Sequence, residues 1–377
     1  MTSTPLTQVG DDVEAIDTPA LVIDRDAMQR NIALMAGYAH EHGLRLRPHA
    51  KTHKSGRIAN LQIAAGAVGI CVQKVSEAEA LAAAGVVDIF ISNEVIAPAK
   101  LERLARLAGR ARLAVAVDSG LGIERLAAAL LDQGTRVDVF VEIDVGQGRC
   151  GVAPAAAGAL AHQVVSHGLT FAGLHAYHGR AQHLRTAEER EAAIRHAVAA
   201  VRVAQASITS AGMHCPLVTG AGSGSFAYEA TSGVYGELQC GSAIFMDADY
   251  ARNKRGNGEA FDTFEHALFV YATVMSAPTL ERLIVDAGLK ALSVDSGMPV
   301  PWHLPGAVYH RPSDEHGIID ASSCAERPRR GDKVLLVPGH CDPTVNLHDW
   351  YVGVRGLDGG EARVDCLWPV AARGALF

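Results

Sequence analysis

The sequence has few of the features that mark secreted, membrane-spanning or nucleic-acid-binding proteins. Its seven cysteines form no CxxC pair, which is typical of reduced thiols and argues against a disulfide framework. No apolar run approaches the ~18 residues that a membrane helix needs, and the N-terminal stretch "MTSTPLTQVGDDVEAIDTPA" lacks the apolar core of a signal peptide. Acidic residues outnumber basic ones, and a formal net charge of −7 argues against a nucleic-acid surface. We therefore expect a cytoplasmic protein without membrane or nucleic-acid partners.

The chain is long enough for two domains, at 377 residues with 49% hydrophobic and 20% charged residues. From residue 44 onward, short β-branched runs alternate with segments that carry apolar residues at helical spacing. This alternation is typical of βα units, and eight units predict a (β/α)8 TIM-type barrel, an α/β fold. A further strand-like run, "TPALVIDR", precedes the barrel. The eight runs are "LRLRPH", "GICVQ", "DIFISN", "LAVAVD", "VDVFVEID", "FAGLHAYH", "LVTGAG" and "GELQCG".

The pattern changes after a polar stretch at residues 250–260. Helical spacing fades there, and strand-like runs separated by glycine, proline and aspartate predict a mainly antiparallel β domain. The glycines and asparagines of the stretch itself favour a domain boundary. The strands predicted in the second domain are "HALFVYATVMSA", "RLIVDAG", "DKVLLVP" and "WYVGVRG".

Unusual residues follow several barrel runs, at the strand ends where a TIM barrel carries its chemistry. Lys51 follows the first run and Arg149 the fifth, while Tyr177, His178 and His183 follow the sixth. The turns "TGAGSGS" and "CGSA" follow the seventh and eighth runs, where bare backbone N–H groups can converge on an oxyanion such as phosphate. A lone lysine is usually solvated and a lone glycine-rich turn is usually only a turn. Their joint placement on one face favours pyridoxal phosphate, which needs both a lysine and a phosphate site.

The cationic stretch "RPHAKTHK" offers two lysines for that role. We predict Lys51, because it directly follows the strand, and we expect Lys54 to point outward about one helical turn later. A nucleophilic lysine needs a lowered pKa. Neighbouring Arg47, with His49 as a second candidate, would lower the pKa of Lys51 through proximity of like charges.

A second group of candidate ligands lies in the stretch "PGHCDPTVNLHDW" of the β domain. His340 and Asp342 are two residues apart, a spacing that points both side chains to one face of a strand. Imidazole and carboxylate together suit a divalent cation such as Mn²⁺, Mg²⁺ or Zn²⁺, although a short HxD motif is more often only a strand end. We expect Cys341 to face the opposite way, and we interpret His348 and Asp349 as structural.

With these motifs together, the sequence resembles the D-threonine aldolases, within the alanine-racemase-fold (fold type III) pyridoxal phosphate enzymes that also include the D-serine dehydratases. The similarity covers most of the chain. It implies that the early run "TPALVID" joins the β domain, which places the barrel at residues 24–252 and the β domain at residues 1–23 plus 253–377. It also implies a homodimer with active sites near the interface. The longest matching blocks are "LRPHAKTHK", "GICVQKVSEAEALAAAGVVDIFISNEV", "VEIDVGQGRCGV", "GLHAYHGRAQHLRTAEER", "SGVYGELQCGSAIFMDADY" and "HCDPTVNLHD".

The resemblance also implies roles for individual residues. Lys51 would be the cofactor lysine, and Arg149 would lie near the pyridine nitrogen of pyridoxal phosphate. One histidine of "YHGRAQH" would be the general base, and we assign His183, with His178 as the alternative. The residues implied to contact the cofactor are Lys51, Arg149, Tyr177, Thr219, Gly222, Ser223, Gly241 and Ser242.

The implied activity is retro-aldol cleavage of D-threonine and other β-hydroxy-D-amino acids to glycine and an aldehyde. His340 and Asp342 would hold the divalent cation, with Mn²⁺ preferred to Mg²⁺ or Zn²⁺. The main alternative is a D-serine or D-threo-3-hydroxyaspartate dehydratase that performs β-elimination with the same cofactor and metal. Dehydratases of this group usually carry His-x-Cys where this chain has His-x-Asp, which favours the aldolase. A racemase or a non-catalytic barrel that carries pyridoxal phosphate fits the HxD pair less well.

Overall fold

The computed structural model describes residues 5–357 and 359–377, and its strands form two sheets. Strand β1 (Ala20–Asp24) is followed directly by helix α1 (Arg25–Glu41). Asp24 caps this helix, because its carboxylate accepts hydrogen bonds from the backbone N–H groups of Asp26 and Ala27. No helix among the described residues is long and apolar enough to cross a bilayer. All seven cysteines are free thiols.

Eight parallel strands form the first sheet, and each of the eight predicted runs overlaps one of them. The strands are β2 (Arg45–Leu46), β3 (Ile70–Val72), β4 (Asp88–Glu94), β5 (Arg112–Val117), β6 (Asp138–Glu142), β7 (Thr170–Ala176), β8 (Val218–Gly220) and β9 (Glu237–Leu238). They pair in the order β2-β9-β8-β7-β6-β5-β4-β3, and a backbone bridge between His49 and Cys71 joins the two ends of that order. The predicted TIM-type barrel is therefore confirmed.

Helices follow the barrel strands and cover the outside of the sheet. Most of them pack apolar side chains on the branched side chains of the strands in one continuous core, while the last two bury Phe226 and Tyr250 in a second cluster. Local signals set their ends: α7 (Ala187–Ser210) begins at a capping box of Thr186 and Glu189, and α5 (Gly120–Gln133) ends at the left-handed Gly134. The helices are α2 (Gly56–Ala64), α3 (Val75–Ala83), α4 (Pro98–Leu107), α5 (Gly120–Gln133), α6 (Ala157–Ser166), α7 (Ala187–Ser210), α8 (Phe226–Ala230) and α9 (Ala248–Ala251).

The second sheet is mainly antiparallel and contains the rest of the strands together with β1. Its members after the barrel are β10 (Leu268–Ser276), β11 (Arg282–Val285), β12 (Val300–Pro301), β13 (Val308–Pro312), β14 (Gly317–Asp320), β15 (Lys333–Val337), β16 (Trp350–Arg355) and β17 (Arg363–Pro369). Helix α10 (Cys341–Val345) lies between β15 and β16. Strand β1 pairs antiparallel with β10 and parallel with β16, so the early run joins this sheet as expected. The four predicted strands are confirmed as β10, β11, β15 and β16, whereas β12, β13, β14 and β17 were not predicted.

Glu229 in α8 is a buried carboxyl group whose charge opposes folding. Its side chain is 1% exposed, and the Ser225 hydroxyl donates to its Oε1 at 2.8 Å. Burial raises the pKa of Glu229 from its ordinary value of 4.5 to about 7. The folded protein therefore binds a proton that the unfolded chain has released, and the free energy of unfolding falls as the pH rises from about 4.5 to about 7.

We expect Glu229→Gln to raise the free energy of unfolding above neutral pH by on the order of 3 kcal/mol, since each step of pKa is worth about 1.4 kcal/mol. Near pH 4.5 the gain should vanish, because the protonated carboxyl is already neutral. Urea unfolding of both proteins at about pH 4.5 and about pH 8 measures the difference. An equal gain at both pH values would mean that the carboxyl is not neutral in the folded state.

Candidate active site

A cavity of about 470 Å³ opens at the carboxyl ends of the barrel strands. Its wall contains three cationic side chains and no carboxylate among the described residues, although the whole chain is acidic. The wall also contains eight of the residues that the sequence singled out, namely Lys51, Arg149, Tyr177, His183, Gly222, Ser223, Gly241 and Ser242. Two of the other candidates, His178 and Thr219, do not line it.

Lys51 lies in the turn after β2, with its ammonium group hydrogen-bonded to the Asp342 carboxylate. Burial is the largest single influence and works to lower the pKa of Lys51, but the attraction and hydrogen bond of Asp342, together with Tyr177 and Glu77, outweigh it and the net pKa is raised. The predicted lowering by Arg47 is therefore wrong. The Arg47 guanidinium bonds to Asp88 at 2.5 Å and to Glu237, so its charge is balanced by carboxylates in the barrel interior.

Lys54 is buried, which corrects the expectation that it points outward. Its side chain is 7% exposed, and its Nζ donates to Glu77 Oε1 at 2.5 Å and to the carbonyl of Ala372 at 3.4 Å. The residue adopts a left-handed backbone conformation with φ of 48°, which turns the side chain toward α3. Lys54 is thus one half of a buried ion pair outside the cavity, and Lys51 is the lysine that the cavity contains.

The turns after β8 and β9 form a cradle of bare backbone on the cavity wall. A Cβ on Gly222 would lie 2.5 Å from the Gln182 amide, and a Cβ on Gly241 would lie 2.9 Å from the His49 carbonyl oxygen and Thr52 Oγ1. Only glycine lets the chain approach so closely at both places. Ser223 and Ser242 add hydroxyl groups on the same wall. The cradle suits an oxyanion that is bound by N–H and O–H donors.

Thr219 lies below this cradle, and the structure does not bring it to the cavity. Its hydroxyl donates to Glu237 Oε1 at 2.9 Å and accepts from the Gln239 side chain at 2.8 Å. The residue belongs to β8 itself and is fully buried, so its side chain points into the barrel interior. The predicted turn does follow β8, and Thr219 lies beneath that turn, inside the barrel.

Arg149 faces the cavity beside Tyr177, with its Cζ 5.8 Å from the ring centroid. Its guanidinium lies 3.7 Å from Glu142, and the other oxygen of Glu142 bonds to His175 Nδ1 at 2.9 Å. His175 lines the cavity, and its Nε2 is buried without a protein partner among the described residues. The sequence pattern did not identify Glu142 and His175 as site residues, because both lie inside runs that were interpreted as buried barrel strands.

His183 lies at the cavity wall and is oriented by a carboxylate. Its Nδ1 bonds to Asp249 Oδ2 at 2.5 Å, and Arg185 and Arg252 bond to the other oxygen of Asp249. Burial would raise the pKa of Asp249, but these hydrogen bonds lower it overall, so the group is a carboxylate and only accepts. Nδ1 therefore carries the proton, and the lone pair of neutral His183 is on Nε2. Asp249 was missed because it is 66 residues away in sequence.

His178, the alternative base, is buried away from the cavity. It is 7% exposed, and its Nδ1 has no hydrogen-bond partner among the described residues. Burial lowers the pKa of His178, with His196 and Arg180 acting in the same direction and Asp144 opposing them. The structure thus brings His183, and not His178, to the cavity wall.

The HxD pair lies at the start of a helix and not on a strand, which corrects its predicted setting. His340 precedes α10 in an extended conformation, and Asp342 is in the first turn. His340 Nδ1 bonds to Asp295 at 2.9 Å, which leaves Nε2 for a ligand. One oxygen of Asp342 bonds to Lys51, and the other is buried without a partner among the described residues. Cys341 is buried and faces the Met246 carbonyl, as expected.

This arrangement has the features of a cation site with two protein ligands. A carboxylate that holds the second nitrogen of a histidine is the usual support of a metal-bound imidazole. A buried carboxylate oxygen without a hydrogen-bond partner is expected to bind a positively charged group. His348 and Asp349, in contrast, bond to the Ala291 carbonyl and to Arg373 and do not line the cavity, in agreement with a structural role.

Comparison with known proteins places the chain in a family. The family described as alanine racemase, N-terminal domain, matches residues 23–249, and the putative serine dehydratase domain matches residues 267–354. A D-threonine aldolase from Arthrobacter sp is 45% identical over 98% of this chain and 96% of its own length. A 3-hydroxy-D-aspartate aldolase from Paracoccus denitrificans is also 45% identical, over 97% of this chain and 94% of its own length.

Solved structures agree with these matches. The crystal structure of D-threonine aldolase from Filomicrobium marinum superposes with a TM-score of 0.95 at 48% identity, over the full length of both chains. The D-threo-3-hydroxyaspartate dehydratase from Delftia sp. HT23 superposes with a TM-score of 0.82 at 30% identity, over 94% of this chain and 99% of its own. This chain belongs to the D-threonine aldolase family of alanine-racemase-fold enzymes, and it is an aldolase.

Proposed function

We propose that this chain is a pyridoxal phosphate- and divalent-metal-dependent aldolase that cleaves D-threonine and other β-hydroxy-D-amino acids to glycine and an aldehyde. The observation that carries the proposal is one cavity wall with a lysine, an oxyanion cradle and a carboxylate-oriented histidine. Two relatives with 45% identity, named for aldolases of D-amino acids, support it. Family resemblance further supports a homodimer.

The cavity residues fit pyridoxal phosphate. Lys51 would hold the cofactor through its ε-amine, and the turns at Gly222, Ser223, Gly241 and Ser242 would bind its phosphate. Arg149 would lie near the pyridine nitrogen, and the Glu142 carboxylate would fix the position of Arg149. When bound, the cofactor accepts the electron pair that is released from the substrate's broken bond.

The HxD site fits a divalent cation such as Mn²⁺, Mg²⁺ or Zn²⁺. His340 would bind through Nε2 and Asp342 through its free oxygen, with water in the other positions. Such an ion supplies Lewis-acid stabilisation for the charge that develops on a substrate oxygen. The direct contact between Asp342 and Lys51 supports a cation close to the cofactor lysine.

His183 has the features of the general base. Its Nε2 would take the proton of the substrate's β-hydroxyl, and Asp249 would hold the ring and stabilise the imidazolium that forms. As the proton leaves, the oxygen's electrons form the carbonyl of the aldehyde and the Cα–Cβ bond breaks. Cα then takes up a proton to give glycine, so the reaction needs a base at the hydroxyl and a proton donor, not a base, at Cα.

We expect His183→Ala to lower kcat by roughly 10²–10⁴-fold, the usual worth of a positioned acid–base group, while cofactor and metal contents stay near those of the parent. Asp249→Asn should also lower kcat, by less, because asparagine can still hold the ring in place but carries no charge to stabilise the imidazolium. His178→Ala is the matched comparison, since His178 does not line the cavity. A larger fall in kcat in His178→Ala than in His183→Ala would mean that His178, and not His183, is the general base.

A β-eliminating dehydratase is the second candidate, because the Delftia enzyme shares the fold at 30% identity. Elimination needs a base at the Cα proton and a departing hydroxide. The His-x-Asp pair and the His183–Asp249 pair, both expected to act at the β-hydroxyl, favour the aldolase.

The proposal is tested by offering threonine isomers to the holoenzyme and measuring acetaldehyde. D-Threonine and D-allo-threonine should both react, because base and metal act at the oxygen and tolerate either β configuration. L-Threonine should be untouched, since inversion at Cα carries the hydroxyl away from both. Acetaldehyde from L-threonine at a comparable rate would contradict the proposed pose.

A further inference from the structure

Asp247 is a fully buried aspartate whose side chain joins two short helices. Its Oδ1 accepts a hydrogen bond from the backbone N–H of Tyr250 at 3.0 Å, which caps the start of α9. Its Oδ2 accepts from the backbone N–H of Cys341, the first residue of α10, at 3.2 Å. A single carboxylate therefore bonds to the first turns of two helices that are far apart in the sequence.

Backbone hydrogen bonds hold the same two segments together. The N–H of Ala248 donates to the carbonyl of Pro338 at 3.0 Å, and the N–H of Asp249 donates to the carbonyl of Gly339 at 3.2 Å. The first three N–H groups of α9 thus bond either to its cap or to the stretch that directly precedes His340. Helix α9 and the start of α10 are accordingly packed as one unit.

The two segments also carry the groups that are proposed to act on the substrate's β-hydroxyl. Asp249 of α9 orients His183 through the hydrogen bond at 2.5 Å. His340 and Asp342, the proposed cation ligands, stand at the start of α10 on either side of Cys341. The position of the base relative to the cation therefore depends on how α9 is held against α10.

We infer that Asp247 is a positioning residue that fixes the base His183 relative to the divalent-cation site. The inference rests on the proposed function, in which base and cation act on one oxygen atom and a misplacement of about 1 Å can cost about 100-fold in rate. A carboxylate suits this place because its two oxygens accept from two N–H groups at once. An amide of the same shape has one acceptor oxygen, and its NH2 group would face the second N–H.

Metal binding tests the cation side of the inference without turnover. In the enzyme with cofactor bound, Asp247→Asn should raise the Kd of Mn²⁺ roughly 10-fold, as the loss of a residue that supports metal ligands does. Electron paramagnetic resonance of free Mn²⁺ measures this Kd. The matched control is Asp24→Asn, because Asp24 is also a buried aspartate that caps a helix, α1. The control should lower the melting temperature and leave the Kd of Mn²⁺ unchanged, and the same result for Asp247→Asn would overturn the inference.

Two further variants separate position from charge and from helix capping. Asp247→Glu keeps the charge but moves the carboxylate by one methylene, and Asp247→Ser keeps a capping hydroxyl at α9 but is too short to bond to Cys341 as well. Both should raise the Kd of Mn²⁺. The parent Kd in Asp247→Glu would mean that only the charge matters, and the parent Kd in Asp247→Ser would mean that the bond to Cys341 is dispensable. Either result would overturn the inference.

A double-mutant cycle tests the base side. At saturating Mn²⁺, Asp247→Asn should lower kcat roughly 10- to 100-fold in the parent, but by much less in the His183→Ala background, where the base is already absent. Equal factors in the two backgrounds would show that Asp247 does not act through His183. A parent that forms no aldehyde, while Asp247→Asn still raises the Kd of Mn²⁺, would refute the proposed function and leave the role of Asp247 at the cation site intact.

Discussion

Lys51→Ala is expected to abolish both the visible absorption band of bound pyridoxal phosphate and all cleavage of D-threonine. No other lysine lines the cavity among the described residues, so none can replace it as the covalent attachment. The change also removes the partner of Asp342, which lies outside the phosphate cradle. Absorption spectra of the purified variant, with and without added cofactor, measure the first effect, and an aldehyde assay measures the second.

Lys54→Met is the matched control, because Lys54 is three residues away and faces the opposite side of the turn. It should keep the absorption band and yet lower the free energy of unfolding by about 3–5 kcal/mol, since Glu77 loses its partner in a buried ion pair. Lys54→Met combined with Glu77→Gln should recover part of that stability. A coloured Lys51→Ala protein beside a colourless Lys54→Met protein would refute the assignment of the cofactor lysine.

Removal of the divalent cation is expected to abolish cleavage while leaving the absorption band in place. The two proposed ligand sets consist of different residues, since His340 and Asp342 stand at α10 and the proposed cofactor contacts stand on the barrel turns, although Asp342 contacts Lys51. Only two protein ligands hold the ion in this proposal, so a chelator should strip it without unfolding the chain. Re-addition of Mn²⁺ should restore activity and raise the melting temperature, as a ligand of the folded state does.

His340→Ala should reproduce the chelated state in every measurement, including the loss of bound metal. His167→Ala is the control, since His167 is exposed at the end of α6 and its ring bonds, within the described part of the chain, only to the carbonyl of Gln163. Full turnover in a preparation that contains no metal would contradict the Lewis-acid role of the cation. It would not contradict the cofactor assignment.

Strand prediction succeeded where a run has an apolar centre that is buried on both faces. The barrel strands "DIFISN" and "VDVFVEID" are of this kind, and so is β10 of the second sheet. The missed strands are different. β13 and β17 each bury one side chain fully, Tyr309 and Val364, while their other residues are polar, partly exposed or proline. Their partners in the sheet define them, and a sequence window does not contain that information.

The site residues that could be predicted are likewise marked by their place in the local sequence, whereas the missed ones are marked only by contacts with residues that are distant in sequence. The presence of Lys51, the glycine turns and His183 on the cavity wall was predictable because they follow strands whose carboxyl ends share one face of a barrel. Asp249 and Asp295 could not be found this way, because they meet His183 and His340 only after folding. The wrong expectation for Lys54 has a similar origin. Helical spacing suggested an exposed side chain. The left-handed backbone conformation of Lys54 and its ion pair with the buried Glu77 instead determine where the side chain points.

The most direct test of the proposed function is the set of products formed from D-threonine by the enzyme with cofactor and metal bound. Both candidate reactions use the same substrate, and the bond that breaks distinguishes them. With the base and the cation at the β-hydroxyl, the Cα–Cβ bond should break, and glycine and acetaldehyde should form in equal amounts with little 2-oxobutanoate or ammonia. Mainly 2-oxobutanoate and ammonia would contradict the proposed retro-aldol reaction and assign the cavity to β-elimination.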